Sequence, residues 1–183
     1  MNSDQPFRPS NSAQWVVVAL TILLSALFGL GLPRLAEATQ PEDTTVGAGE
    51  RVERQGVSVE VAAGWILQGD PPLVVLDKGT AKFLLFPPAA DTTTPTDAVT
   101  ADSAALTDVT LGEVTPFTTA SGLTGASLTF TDSSERTTML FAYSDGTILA
   151  RGQVSASSDE WEAIEPDIES MLGTLEITGV PSS

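Results

Sequence analysis

The chain has 183 residues, 24 acidic and eight basic side chains and a formal charge of −16, and it contains neither histidine nor cysteine. The lack of imidazole and thiol groups excludes histidine-based triads, cysteine nucleophiles, disulfides, N-terminal cysteine lipidation and the usual zinc and copper sites. The negative charge repels phosphate backbones, so we expect no nucleic-acid partner.

An uncharged stretch, Trp15–Leu32, dominates the first part of the chain. As an α-helix it would reach roughly 27 Å, close to the thickness of the hydrocarbon core of a bilayer. We therefore predict a membrane-spanning helix or signal segment over residues 15–33, preceded by a disordered cytoplasmic tail over residues 1–14. Because exported proteins usually have an N-terminal span followed by a polar domain, we predict that the rest of the chain is extracytoplasmic.

The sequence leaves two fates open for this apolar segment. Its length exceeds the roughly 7–15 residues of a signal-peptide core, which favours a retained anchor and a single-pass membrane protein. The alternative is secretion, because Ala36-Glu37-Ala38 fits a small-x-small cleavage site. Cleavage after Ala38 would release the domain.

The residues after the span are acidic and divide into a linker and a folded part. Residues 34–49 are rich in Glu, Thr and Gly, which predicts an acidic flexible tether. Residues 50–178 have the length of one domain, and residues 179–183 form a short tail. Because residues 1–34 contain two arginines and one aspartate, residues 35–183 carry a formal charge of −17.

The domain is predicted to begin with strands. Val57–Val61 alternates apolar and polar residues, which is the period of a half-buried strand. The large apolar area of Trp65 predicts a core position, with stacking on a ligand as the alternative. Residues 73–76 and 81–86 predict a hairpin with residues 77–80 as its turn. Because both arms are nearly all apolar, we predict that other elements cover both faces of the sheet at this hairpin.

A short helix and a meander are predicted next. Residues 96–106 predict a helix capped by Thr96, with Val99, Ala105 and Leu106 facing inward. In the meander, an apolar face at residues 126, 128 and 130 is opposed by Ser and Thr. The arms of the meander are predicted at Val109–Phe117, 126–131, Thr138–Tyr143 and Ile148–Val154, with Asp145-Gly146 as the last hairpin turn.

The chain is predicted to end with an amphipathic helix. Ser157 and Glu160 have the spacing of a capping box, and Gly173 marks the end of the helix. Pro166 lies inside the pattern, and Leu175–Ile177 predicts a brief edge strand. The apolar stripe consists of Trp161, Ile164, Ile168, Met171 and Leu172. Strands, a short helix, strands and a final helix together predict an α+β fold with an antiparallel sheet.

This order of elements resembles the PsbP-like fold, through the strand Gly56–Val61 that leads into Gly64-Trp65. It is also similar to small exported or membrane-anchored proteins of actinobacteria that carry such a domain. The resemblance covers about residues 50–178. It implies a curved antiparallel sheet with a C-terminal amphipathic helix and other helices packed on it. It implies no shared catalytic motif.

Two sets of residues were weighed for catalysis or metal binding, and we predict neither role for them. Lys78 or Lys82 would have to serve a Ser/Lys dyad, yet one lies in a predicted turn and the other on a strand face. A cluster of acids has the oxygen ligands that Ca²⁺ prefers, but the solvated face of a helix explains it better. These acids are Asp159, Glu160, Glu162, Glu165, Asp167 and Glu169. We therefore predict no catalytic, cofactor-binding or metal-binding residue.

The expected function is that of a single-span, membrane-anchored extracytoplasmic domain of the bacterial cell envelope. It is expected to be non-enzymatic and to act in binding or assembly through an envelope protein partner. Two alternatives stay open. One is a secreted ligand-binding protein released after Ala38, and the other is an extracytoplasmic enzyme that uses paired carboxylates among its many acids.

Overall fold

The computed structural model describes residues 44–69 and 73–180. The predicted tail, the predicted membrane span and most of the predicted tether lie outside these residues. Within the described ranges, no helix is long and apolar enough to cross a bilayer. The elements in chain order are β1 (Thr44–Thr45), β2 (Glu50–Arg54), β3 (Val57–Val61), β4 (Ile66–Leu67), β5 (Val74–Lys78), β6 (Ala81–Leu85), β7 (Ala89–Ala90), α1 (Pro95–Ser103), β8 (Val109–Thr118), β9 (Thr124–Asp132), β10 (Arg136–Ser144), β11 (Ile148–Ser157), α2 (Ser158–Gly173) and β12 (Glu176–Ile177).

These elements form two antiparallel sheets and two helices, which confirms the predicted α+β class and the order of the meander strands. The larger sheet has the order β1-β4-β5-β6-β11-β10-β9-β8, with β7 paired to β11. The smaller sheet has the order β12-β3-β2, so the predicted edge strand near the C-terminus pairs with the first predicted strand. The sequence predicted a single sheet and did not reveal the second.

The two helices cover opposite faces of the large sheet. α2 packs against β10, β11 and β3, and α1 packs against β8, β9 and β10. Successive residues of β10 therefore enter different cores, because side chains of a strand alternate between its faces. Phe141 lies in the core beneath α2, and Ala142 lies in the core beneath α1.

The main core is enclosed by α2, the small sheet and one face of the large sheet, and it contains three packed aromatic rings. Trp65 is 0 % exposed and meets Phe83 edge-on, with ring centroids 6.3 Å apart. Phe83 in turn lies 5.5 Å from Phe141. Every residue of the predicted stripe of α2 is buried here. The core position predicted for Trp65 is confirmed, because its ring packs on core aromatics.

The domain begins earlier than the predicted boundary near Glu50. β1 pairs with β4, and Val46 is buried in the main core. Residues 44–49 therefore belong to the fold and not to the tether. A strand of two residues has no measurable period, so the sequence pattern could not reveal it.

The hairpin of β5 and β6 is confirmed, but its arms are not covered on both faces as predicted. Leu76 and Phe83 are buried on the face beneath α2. On the other face Val75 and Leu84 are only half-buried, and Lys82 is exposed. The reason is that α1 packs across β8, β9 and β10 and leaves this part of the sheet uncovered.

The first helix is shifted from its predicted position. Its N-cap is Thr94, whose hydroxyl accepts the Asp97 backbone N–H at 3.2 Å, and not Thr96. Pro95 occupies the first helical position, where a missing N–H costs nothing. Val99 is buried as predicted, whereas Ala105 lies beyond the helix and is exposed. Leu106, the other residue expected to face inward, is half-buried.

The start of α2 differs from the predicted capping box. Ser157 is the N-cap residue, but its side chain caps no backbone N–H of the helix. Glu160 instead reaches the β5–β6 turn, where it accepts the backbone N–H of Thr80 at 3.0 Å and its hydroxyl at 2.6 Å. The helix ends at Gly173, and Thr174 is the capping residue. A contact across 80 residues thus replaces the predicted local one.

The Glu160 contact predicts an acid-sensitive contribution to stability. The hydrogen bonds from the Thr80 hydroxyl and N–H hold the pKa of Glu160 below its ordinary value of 4.5. A carboxylate whose pKa is lower in the folded than in the unfolded protein contributes its full stabilisation at pH values above the unfolded-state pKa. This stabilisation is lost as the pH falls through the folded-state pKa. Glu160→Gln is therefore expected to lower the unfolding free energy at pH 7, with a deficit relative to wild type that shrinks below pH 4.5.

Urea unfolding at pH 7 and at several values below pH 4.5 measures this difference. The matched control is Glu162→Gln, which changes an exposed carboxylate of the same helix that has no side-chain partner among the described residues. A Glu160→Gln deficit that stays constant over the acid range would contradict the role given to the carboxylate.

Candidate functional site

A groove of about 440 Å³ lies between α2 and the outer strands of the large sheet. It exists because α2 makes its main contacts with β10, β11 and β3, which leaves a gap between the helix and the outer strands β8 and β9. The lining residues are Glu113, Thr115, Pro116, Phe117 and Thr118 of β8, Ser127 and Thr129 of β9, Met139 of β10, and Glu165, Glu169, Leu172 and Gly173 of α2. This volume falls within the range of ligand sites, about 300–1,000 Å³.

The floor of the groove is the polar face of the meander. Ser127 and Thr129 alternate with the apolar residues that pack under α1, and Met139 pairs with Thr129 across β9 and β10. The Ser127 hydroxyl donates to the carbonyl of Thr115 at 3.5 Å, which ties the floor to the wall formed by β8. The sequence predicted this alternation but gave no sign that a helix would turn the polar face into a groove.

One end of the groove is closed by the turn between β8 and β9. The backbone N–H of Ala120 donates to the carbonyl of Gly173 at 2.7 Å, at the C-terminal end of α2. The Ser121 hydroxyl donates to the carbonyl of Leu175 at 3.3 Å. These bonds fix the spacing between the two walls at this end.

Phe117 forms the apolar part of the wall on β8. Its ring lies over Gly125, its cross-strand neighbour, where an added Cβ would be 2.3 Å from the ring. Only glycine leaves room for a ring in this position. With Leu172 on the opposite wall and Met139 below, the ring gives the groove an apolar patch beside its polar floor.

Three carboxylates make the groove acidic. Glu113 stands on the β8 wall, and Glu165 and Glu169 stand one helical turn apart on α2. All three are exposed to solvent. Among the described residues no lysine or arginine lines the groove, so these carboxylates have no counter-charge within it.

The basic side chains of the described residues are all engaged elsewhere. Their contacts are Arg51 with Glu60 and Glu176, Arg54 with the carbonyls of Gln68 and Gly69, Lys78 with Asp167, Lys82 with Asp77, Arg136 with Thr80 and Ser155, and Arg151 with Asp91 and Asp102. The negative charge of the groove is therefore not neutralised by the part of the domain that the structure describes.

No family model matches the chain, and no curated protein matches it. Solved structures similar to it include a PsbP domain. The solution structure of cyanobacterial PsbP (CyanoP) from Synechocystis has 16% sequence identity over 72% of this chain and 95% of that chain, with a TM-score of 0.49. A crystal structure from Bacteroides thetaiotaomicron has 14% identity over 73% of this chain and 50% of that chain, with a TM-score of 0.45. At these identities the likeness concerns the fold alone.

The structure places the acids that were considered as calcium ligands in separate surroundings. Glu160 binds Thr80, and Asp167 pairs with Lys78 at 2.6 Å and accepts the indole N–H of Trp65 at 3.3 Å. Glu165 and Glu169 line the groove. Across residues 44–69 and 73–180 no three acidic side chains come close enough together to hold a metal ion.

The lysines considered for a dyad both have carboxylate partners. Lys78 ends β5, where the sequence predicted a turn, and its ammonium group joins Asp167 to the carbonyl of Ala63. Lys82 is exposed and lies 3.3 Å from Asp77. A lysine that is paired with a carboxylate and at least partly exposed to solvent lacks the desolvation that would activate it.

Sequence reasoning missed Glu113, Phe117 and Met139 as members of a site. Glu113 and Phe117 lie on β8 and Met139 lies on β10, and only the packing of the sheet beside α2 brings them near Glu165 and Glu169. The one local signal was the i, i+4 spacing of these two glutamates, which places them on the same side of a helix.

Proposed function

We propose that this chain is a single-span, membrane-anchored protein whose acidic domain is extracytoplasmic and acts in protein binding or assembly at a bacterial cell envelope. The observation that carries the binding role is the groove between β8 and α2. It offers an apolar patch, a hydroxyl-bearing floor and three exposed carboxylates without an internal counter-charge. Binding requires such a surface and requires no reacting side chain.

The uncharged stretch Trp15–Leu32 supports the anchoring part of the proposal. Its length suits a bilayer, and the domain has no cysteine that a lipid could modify. The competing form is a secreted ligand-binding protein produced by cleavage after Ala38. Both forms carry the same groove, so they differ only in whether the domain stays at the membrane.

Carboxylate-based catalysis is the second candidate function, and one observation favours it. Glu113 lies on the wall opposite Glu165 and Glu169, as the acid pair of a glycoside hydrolase would. The acid of such a pair needs an apolar, desolvated site, whereas all three glutamates are exposed. Binding therefore fits the groove better than bond cleavage.

Fractionation tests the anchored form directly. After a carbonate wash of isolated membranes, the full-length chain is expected in the membrane pellet, because a helix that spans the bilayer resists extraction. N-terminal sequencing of the recovered protein is expected to give the uncleaved N-terminus. A soluble product that starts at Thr39 would contradict the anchor and establish the secreted form.

A further inference from the structure

We propose that the groove between β8 and α2 binds an extended segment of a partner protein in which basic and apolar side chains alternate. This inference rests on the proposed function and adds to it the location of the contact and the chemistry of the partner. Three features of the described residues support it: the separation of the apolar patch from the exposed carboxylates, the unbalanced charge of the groove, and the blocked edge of β8.

The separation of the apolar patch from the exposed carboxylates fits an extended segment whose side chains alternate in character. Phe117, Met139 and Leu172 give the groove its apolar patch, while Glu113, Glu165 and Glu169 are exposed. Side chains of an extended peptide point alternately to opposite sides. The apolar side chains of such a peptide can therefore lie against the apolar patch while its basic side chains reach the carboxylates. The carboxylates stand on both walls of the groove, which suits an elongated partner.

The positive charge that neutralises the carboxylates of the groove must come from outside the domain. Every lysine and arginine of the described residues already has a carboxylate or carbonyl partner outside the groove. The chain's own tether is a poor source of this charge, because residues 34–43 contain three acids and a single basic residue, Arg34, which adjoins the predicted membrane span. A partner with Lys or Arg would neutralise the groove, and a second copy of this acidic chain would be repelled.

The edge of β8 directs the partner into the groove. Within residues 44–69 and 73–180, β8 is the last strand of the large sheet and pairs only with β9. Its free edge is interrupted by a bulge between Leu111 and Val114 and by Pro116, which has no N–H to offer a further strand. Extension of the sheet along β8 is thereby hindered, so the contact relies on side chains within the groove.

The test uses the full-length chain purified in mild detergent and a labelled probe peptide, acetyl-Lys-Val-Lys-Val-Lys-Val-Lys-amide, in fluorescence anisotropy at low ionic strength. Glu165→Gln/Glu169→Gln removes two of the three carboxylate charges of the groove and is expected to weaken binding by about two- to thirtyfold, as expected for the loss of two exposed ion pairs. Thr129→Lys places a cation on the floor and is expected to abolish binding.

The matched control is Glu53→Gln/Glu135→Gln, which removes the same charge from exposed positions outside the groove. It is expected to change the affinity less than twofold. Circular dichroism confirms that each variant is folded. A second probe with serine in place of valine is expected to bind at least fivefold more weakly, because it cannot use the apolar patch.

Four results would overturn the proposal. The first is a dissociation constant for the lysine-valine peptide above about 1 mM. The second is equal weakening of binding by the control and groove variants, which would show that the overall negative charge of the domain, and not the groove, attracts the peptide. The third is equal affinity for the serine probe. The fourth is equal affinity for spermine, which would show that any polycation suffices. None of these depends on where the protein resides, so failure here leaves the membrane anchor to be judged by fractionation.

Discussion

Trp65→Ala is expected to lower the free energy of unfolding by about 3–5 kcal/mol, the usual range for loss of a buried tryptophan. The indole is 0 % exposed and packs edge-on against Phe83. Its N–H also donates to Asp167, the carboxylate that pairs with Lys78. A single ring therefore joins β4, the β5–β6 hairpin and α2, and small domains have only about 5–15 kcal/mol of stability in total.

Urea unfolding followed by far-ultraviolet circular dichroism measures this effect without depending on tryptophan fluorescence. Ile66→Ala is the matched control, since the adjacent side chain is 37 % exposed and its loss is expected to cost less than about 1 kcal/mol. Trp65→Phe is expected to fall between the two because it keeps an aromatic ring but loses the bond to Asp167. A Trp65→Ala variant as stable as Ile66→Ala would show that the ring is not central to the core.

Gly152→Val is expected to lower the free energy of unfolding by about 3 kcal/mol or more, at the upper end of the range for overpacked cores. A Cβ at this position would lie 2.3 Å from the Phe141 ring and 2.6 Å from the Leu84 carbonyl oxygen. The ring could move only at the expense of the main core, and the carbonyl belongs to the neighbouring strand β6. The absence of a side chain at residue 152 thus permits β6, β10 and β11 to pack as they do.

A neighbouring substitution and a double variant isolate this cause. Gln153→Val introduces the same side chain one position along, at a half-buried residue, and is expected to change stability by less than about 1 kcal/mol. Phe141→Leu removes the ring, so Gly152→Ala is expected to cost less in that background than in the wild type. Additive effects of the two substitutions would refute the steric explanation.

Local sequence patterns were sufficient to predict much of this fold. The strand from Val57 to Val61, the Asp145-Gly146 turn and the apolar stripe of α2 each depend on residues close in sequence, and each is found in the structure. The predicted half-buried alternation of that strand is not, because Ser58 is buried as well. The burial of Trp65 followed from its size. These features could be predicted because period and turn chemistry act within a few residues.

The features that the sequence did not reveal depend on contacts between distant residues. Glu160 had the spacing of a local cap, but it binds Thr80 because the β5–β6 turn lies beside the first turn of α2. The same holds for β1, which gains its structure only by pairing with β4. The groove is the clearest case, since the position of α2 over β10 and β11, and not over β8, is set by packing of the whole domain.

Protease accessibility of a C-terminal tag in intact cells tests most directly the claim that an acidic binding domain is held outside the membrane. With a peptide tag after Ser183, added protease is expected to remove the tag from intact cells while a cytoplasmic control protein stays whole. The full-length chain is expected to remain with the membranes before treatment. A tag that is removed only after the cells are permeabilised would contradict the proposed topology and the role that depends on it.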